Sequence, residues 1–420
     1  MRNWYIVAAA GLALQACATV DQFGTRVGDA NRNSQNALNE ETLLNILRAN
    51  KGQTPNFVGI SQIAGSQMEA LSTGLPAINI GPHQTQAQQI YSITNSLSST
   101  VNGSYQASPL VTTSFQQGML APIDFKEIAL LVSSHPREIV FHAVIDSITL
   151  SSDIGAATYW NDPSDNSESA AEQLQITDTC ESALIDTSHR WTKQEMFTQP
   201  GVCNYAKFVR WLQLLDDYGL SAQLVPAPSS SQKTPAAPGP ATNAVNITSS
   251  KPSSSNATPT SQKTAEMVGK LCFDSTLKSP QFKHYNPNLA CDAPAGRGQA
   301  AAHVPFSADF NILGYGVIKV DNLKLRSPLG VIDYMAKAWR YSDATPFETG
   351  QAKQFGGPLV EIVNGSGPQC YAATRFEGQF WCVPEDAEKT AVLMDIVQQL
   401  RNLSITPTDL NAAFTVRIGD

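Results

Sequence analysis

Residues Pro226 to Ala265 limit what this chain can fold into more than any other stretch. These forty residues contain seven prolines, no aromatic residue, no leucine and no acid, and their only charges are Lys233, Lys251 and Lys263. Such a composition buries too little apolar surface to offset the entropy of ordering it, so a disordered Pro/Ser/Thr-rich segment is expected. The core must come from the flanking parts, residues 39–225 and 266–420. They form either two α+β lobes joined by a linker or one domain carrying a surface insertion, and the insertion is the preferred reading.

On both sides, helical and strand patterns alternate without a regular βαβ order, which predicts an α+β fold with mostly antiparallel strands. Asn39 reads as an N-cap, with Glu40 and Glu41 in the first turn and Gly52 as the stop. A strand is expected from Asn56 to Ile63, followed by a Gly-rich turn region to His83. Residues 90–116 read as a hairpin breaking at Gln106-Ala107-Ser108-Pro109. The sharper alternative there is a transmembrane hairpin given to an oligomeric barrel; against it, only every second outward position is apolar. Asp124-Phe125-Lys126-Glu127 has the capping-box spacing, and the helix it starts ends before His135-Pro136. Ile139 to Leu150 reads as helix and then strand, and residues 151–180 as loop. Residues 204–218 carry the clearest amphipathic helix, ended by Gly219. Beyond the break follow a strand over Phe310 to Leu325, a helix from Ser327-Pro328 and a strand over Pro358 to Val363. A hairpin turning at Glu377-Gly378, a helix over Asp386 to Asn402 and a strand over Phe414 to Ile418 complete the order.

The N-terminus reads as an address. Arg2 is a short basic start, Trp4 to Leu14 an apolar run too short to span a bilayer, and Leu14-Gln15-Ala16-Cys17 closes it. This ending resembles the lipobox of bacterial lipoproteins. The resemblance implies that residues 1–16 are a signal peptide and that cleavage leaves Cys17 as a lipidated first residue. With Ala18 rather than aspartate next, it also implies sorting to the outer membrane. Residues 17–38, polar and without periodicity, then read as a flexible tether. Each buried methylene contributes about 0.8 kcal/mol, so several acyl chains hold essentially permanently.

Setting Cys17 aside leaves six cysteines in three close pairs, Cys180 and Cys203, Cys272 and Cys291, Cys370 and Cys382. An even count in an exported chain reads as disulfides, and sequential pairing is the simplest of the fifteen connectivities. No C-x-x-C spacing points to a metal, and none is expected. With a turn at Glu377-Gly378, Cys370 and Cys382 fall on a diagonal of neighbouring strands, which calls for a bulge.

Lys and Arg total 28 against 36 Asp and Glu, a net charge of −8, which argues against nucleic acid as a partner. No G-x-S-x-G, H-E-x-x-H, Walker loop or G-x-G-x-x-G occurs, and no cofactor or catalytic residue is expected. Ser275-Thr276-Leu277-Lys278 matches S-x-x-K without a K-T-G, inside a cysteine-bracketed loop, and reads as chance. The six histidines, at 83, 135, 142, 189, 284 and 303, show no ligand spacing and read as turn or surface residues. Trp160, Trp191, Trp339 and Trp381 are the residues that could make a sugar-stacking platform, but three of them flank apolar stripes or a hairpin and read as core. The expected function is therefore a non-enzymatic structural or accessory part of a cell-envelope assembly, held by the membrane through Cys17 and touching other envelope proteins. The alternatives are an anchored hydrolase with a site assembled from separate loops and a peptidoglycan-binding lipoprotein.

Overall fold

In the computed structural model the described residues are 28, 31–71, 98–166, 180, 182–184, 191–198, 200–226, 267–277, 289–291, 308–312, 315–341, 351–365 and 369–406. The expected tail strand at Phe414 to Ile418 and the residues between Pro226 and Met267 lie outside them.

The first helix, α1, covers residues 31–50. It begins eight residues before Asn39, so Asn39 is a buried helical residue and not a cap, and the latter part of the expected tether is helical. Its side chain explains the difference. Asn39 Oδ1 accepts from Gln398 Nε2 at 2.8 Å, a long-range contact that no local cap signal announces. Gly52 ends the helix region with φ +69°.

Two long strands follow, β1 (Val58–Leu71) and β2 (Ser98–Pro109), paired antiparallel from Val58↔Pro109 to Leu71↔Ser98. The hairpin expected within residues 90–116 is thereby corrected. Gln106 to Pro109 is no turn but pairs back to Val58 through Gln62, and residues from Thr113 turn helical. Local spacing could not reveal a partner forty residues upstream.

Helices α2 (Thr113–Leu120), α3 (Phe125–Ser134) and α4 (Arg137–Val144) come next. Asp124 and Glu127 form the capping box in both directions, at 2.7 and 2.9 Å. Strands β3 (Ile145–Ser152) and β4 (Gly155–Trp160) replace the expected loop after residue 150 with a hairpin. After α5 (Lys193–Thr198), α6 (Asn204–Asp217) buries Tyr205, Phe208, Trp211, Leu212 and Leu215.

Strands β5 (Leu220–Pro226) and β6 (Met267–Phe273) pair antiparallel with Pro226 opposite Met267. The proline-rich stretch thus leaves and returns at one end of a strand pair. This pair packs on α3 so closely that a Cβ on Gly269 would collide with the backbone of Phe125 and Lys126. Next come β7 (Ala308–Ile312), β8 (Gly316–Leu325) and α7 (Pro328–Arg340), the last capped by Ser327. The strand expected over Phe310 to Leu325 is therefore a hairpin, turning before Gly316 at φ +73°.

Strand β9 is confined to Val363–Asn364, shorter than expected because Leu359, Val360 and Ile362 are buried without ladder partners in the named sheets. Strands β10 (Cys370–Phe376) and β11 (Gln379–Pro384) turn at Glu377 and Gly378, both at positive φ. Helix α8 (Glu388–Ser404) follows.

The sheets are β4-β3-β8-β7, β10-β11-β9 and the two ribbons β1-β2 and β5-β6, with every strand pair antiparallel. One apolar core joins residues from both sides of the proline-rich stretch, among them Leu43, Phe141, Phe208, Met335 and Ile396. The fold is α+β. Disulfides Cys180–Cys203, Cys272–Cys291 and Cys370–Cys382 close sequentially, with Cα separations of 5.2, 4.8 and 5.7 Å. The diagonal reach of the last is met by a register shift between Cys370 and Ala372.

Candidate functional site

A cleft of about 550 Å³ opens where strand ends meet the start of α7. It is built from Asp146 on β3, Trp160 to Asp162 leaving β4, Lys324 to Arg326 ending β8, and Gly330, Asp333, Tyr334 and Lys337 on α7. The register explains the convergence. Ser147 lies between Trp160 and Lys324, and Ile145 faces Leu325, so residues distant in sequence reach one edge of the sheet. Ser327 then turns the chain directly into α7 by accepting the Gly330 N–H at 3.0 Å.

Arg326 holds this corner together. Its buried guanidinium donates to the carbonyls of Ala143 and Ile145 at 3.0 Å each and to that of Asn161, and it lies 4.2 Å from the centre of the Tyr334 ring. Burial lowers its pKa, opposed by the nearby Tyr334 and Asp146. Asn161 donates to the carbonyls of His142 and Ile145 at 2.7 and 2.8 Å, fixing the end of β4 to the α4–β3 junction.

The remaining charges are paired. Lys324 meets Asp146 at 2.7 Å, and Lys337 bridges Asp162 at 2.8 Å and Asp333 at 3.6 Å. Partial burial disfavours the charged forms of Lys337 and Asp162. It is the largest single effect on each, but their mutual hydrogen bond and attraction, joined by Ser164 at the aspartate and Asp333 at the lysine, together outweigh it, raising the pKa of the lysine and lowering that of the aspartate. Asp162 also accepts from the Ser164 N–H and hydroxyl at 3.0 and 2.7 Å, so the turn after Trp160 is tied into the cleft. Lys324 sits 5.3 Å from the ring centre of the exposed Trp160. A polar ligand can be held here by exchanging partners with these ion pairs while stacking on Trp160.

Behind the cleft, His142 is buried, and its Nε2 lies 3.1 Å from the Tyr205 hydroxyl, itself 3.4 Å from that of Tyr334. The expectation of a surface or turn residue is wrong for His142. Burial, with Arg326 and Lys389 nearby, lowers its pKa to about 3, so the ring is neutral. His135 is partly buried at the end of α3, 2.9 Å from the Ser134 hydroxyl, and the other four histidines lie outside the described residues.

The four tryptophans occupy separate places. Trp339 and Trp381 pack edge to face at 5.3 Å, Trp191 covers Lys207, and Trp160 borders the cleft. Ser275 and Thr276 lie in a turn whose Asp274 carboxylate accepts from the Thr276 N–H and hydroxyl, and Lys278 lies outside the described residues. Cys17 lies outside them as well.

Sequence reasoning missed Asp146, Asp162, Lys324, Arg326 and Lys337 as a group. The one local signal was two bases just ahead of the Ser327-Pro328 helix start. Among the described residues no cluster of histidine, cysteine or acid side chains could hold a metal ion, and no helix is long and apolar enough to cross a membrane. No protein-family model, curated protein or solved structure matches the chain.

Proposed function

We propose that this chain is a lipid-anchored protein of the bacterial outer membrane whose folded body is a non-enzymatic structural or accessory component of an envelope assembly. The observation that carries the reading is Leu14-Gln15-Ala16-Cys17 after a short apolar run. Three disulfides agree with an oxidising compartment outside the cytoplasm. The cleft's charges already satisfy one another, which suits recognition of a polar partner surface.

The experiment is metabolic labelling with a radioactive fatty acid, followed by purification from detergent-solubilised envelopes. Wild-type protein is expected to carry label, fractionate with the outer membrane and bring other envelope proteins with it. Cys17→Ala is expected to accumulate as an unlabelled, uncleaved precursor. Label retained in Cys17→Ala overturns the reading.

A further inference from the structure

The cleft at the start of α7 sorts ligands by charge. Among the described residues, three acids line it, Asp146, Asp162 and Asp333, and three bases, Lys324, Arg326 and Lys337. Every acid has a base. Asp146 lies 2.7 Å from Lys324 and 3.7 Å from Arg326, and Lys337 is shared between Asp162 at 2.8 Å and Asp333 at 3.6 Å. The formal charges cancel, so an ionic ligand gains no net attraction, and to reach one partner it must part a pair and leave the opposite charge alone. Arg326, the cation best shaped to grip an anion, is buried and spends its hydrogens on the carbonyls of Ala143, Ile145 and Asn161.

A neutral hydroxyl meets no such obstacle. It accepts from an ammonium and donates to a carboxylate at once, so it inserts into a lysine–aspartate pair and leaves neither charge unmatched. A ligand carrying several neighbouring hydroxyls can use both pairs, Lys324 with Asp146 and Lys337 with Asp162. They share one cleft of about 550 Å³, within the roughly 300–1,000 Å³ usual for small-molecule sites.

The aromatic wall narrows the class. Trp160 is the exposed one among the described tryptophans, at 42%. The alternation of β4 turns Tyr159 inward, fully buried, and Trp160 outward. Its position is fixed through the backbone. The Trp160 N–H donates to Asn204 Oδ1 at 2.6 Å, and Asn161 beside it is tied to the carbonyls of His142 and Ile145. An open indole on a held strand end is a flat apolar plate, and the Lys324 ammonium, 5.3 Å from its centre, sets the ion-pair system next to it. A ligand suited to both has an apolar face and a polar rim. That is a pyranose ring, above all one whose substituents are all equatorial, as in glucose and N-acetylglucosamine, since both of its faces then present C–H groups.

We infer that the cleft binds a neutral glycan of such gluco-configured pyranoses, one ring stacked on Trp160 with its hydroxyls inserted between Lys324 and Asp146 and between Lys337 and Asp162. The inference deepens the accessory role proposed above and rests on it for the supply of ligand, since an envelope-anchored body stands within reach of envelope polysaccharide.

The test uses the full-length protein purified in a sugar-free detergent, with binding followed by calorimetry and by tryptophan fluorescence. The probes are the β-1,4-linked tetramers of glucose and of N-acetylglucosamine, with the cationic tetramer of glucosamine and the anionic tetramer of glucuronic acid as charged counterparts. At least one neutral tetramer is expected to bind about ten-fold or more tighter than either charged one. Its affinity should change by less than about two-fold between roughly 50 and 500 mM salt, because no net charge is screened. Trp160→Ala should weaken the binding by about ten-fold or more and leave the melting temperature nearly unchanged, and Lys337→Met should weaken it several-fold. Trp160→Phe should keep most of the binding heat yet lose the fluorescence change, a signature that damage to the fold would not give. No binding of either neutral tetramer, tighter binding of a charged one, neutral binding untouched by Trp160→Ala, or a fluorescence change retained in Trp160→Phe overturns the glycan site. Fatty-acid label on the same preparations separates the two ideas. Labelled protein that binds no tetramer sinks the glycan alone, and unlabelled protein that binds one sinks the anchor alone.

Discussion

His142 shows how burial sets the behaviour of one side chain. In the folded chain it stays neutral down to about pH 3, because desolvation first, and then Arg326 and Lys389, oppose its charge. In the unfolded chain it takes up a proton near the ordinary value of 6.5. Stability from the neutral ring is therefore complete above pH 6.5 and is lost as the pH falls from there toward 3, by about 1.4 kcal/mol per unit. Urea unfolding of wild type and His142→Gln at a series of pH values should show the gap between them narrowing by on the order of 3 kcal/mol from pH 6.5 to 4.5. A constant gap would mean that the ring reaches water. Asp216 is the opposite case. It is buried with Oδ1 unpartnered, and desolvation raises its pKa well above the usual carboxylate range in spite of Arg137. Asp216→Asn should leave the melting temperature at pH 8 unchanged or raise it, and a fall of several degrees would show that the charge is needed. The sequence held a hint of the buried histidine, since Phe141, Ala143 and Val144 surround it in an apolar run. Nothing local indicated that Tyr205 would sit at its Nε2.

Elements whose signals lie within a few residues were legible in the sequence. The Asp124–Glu127 box, the Gly219 stop and the Glu377-Gly378 turn each depend on contacts inside one turn, and each is present. Asp124→Ala should lower stability by about 1 kcal/mol in urea unfolding. What could not be read were pairings between distant segments: β1 with β2, β3 with β8, and α1 with Gln398. Those contacts corrected the 90–116 hairpin and the start of the first helix. They also give the proline-rich stretch a testable consequence. Because Pro226 and Met267 are paired neighbours, replacing residues 228–265 by a short Gly/Ser loop should change the melting temperature by no more than a degree or two. A large loss would mean that the segment itself is bound. Gly269→Ala, beside the backbone of Phe125 and Lys126, should in contrast destabilise severely.

For the whole molecule, the irregular alternation of helical and strand patterns led to the α+β class and the cysteine spacing to the three staples, since both follow from patterns that survive without knowing which strand meets which. The cleft was not legible because it is made by the sheet register and not by a motif: Asp146, Asp162, Lys324 and Lys337 come from four separate segments. The central claim, that this body is held at a membrane by its N-terminal cysteine, is tested most directly by mass spectrometry of the N-terminal peptide of protein extracted from envelopes. The account predicts a peptide beginning at Cys17, with a diacylglyceryl group on sulfur and an acyl chain on the new amino terminus. A peptide beginning elsewhere, or Cys17 recovered as an unmodified thiol, would contradict it.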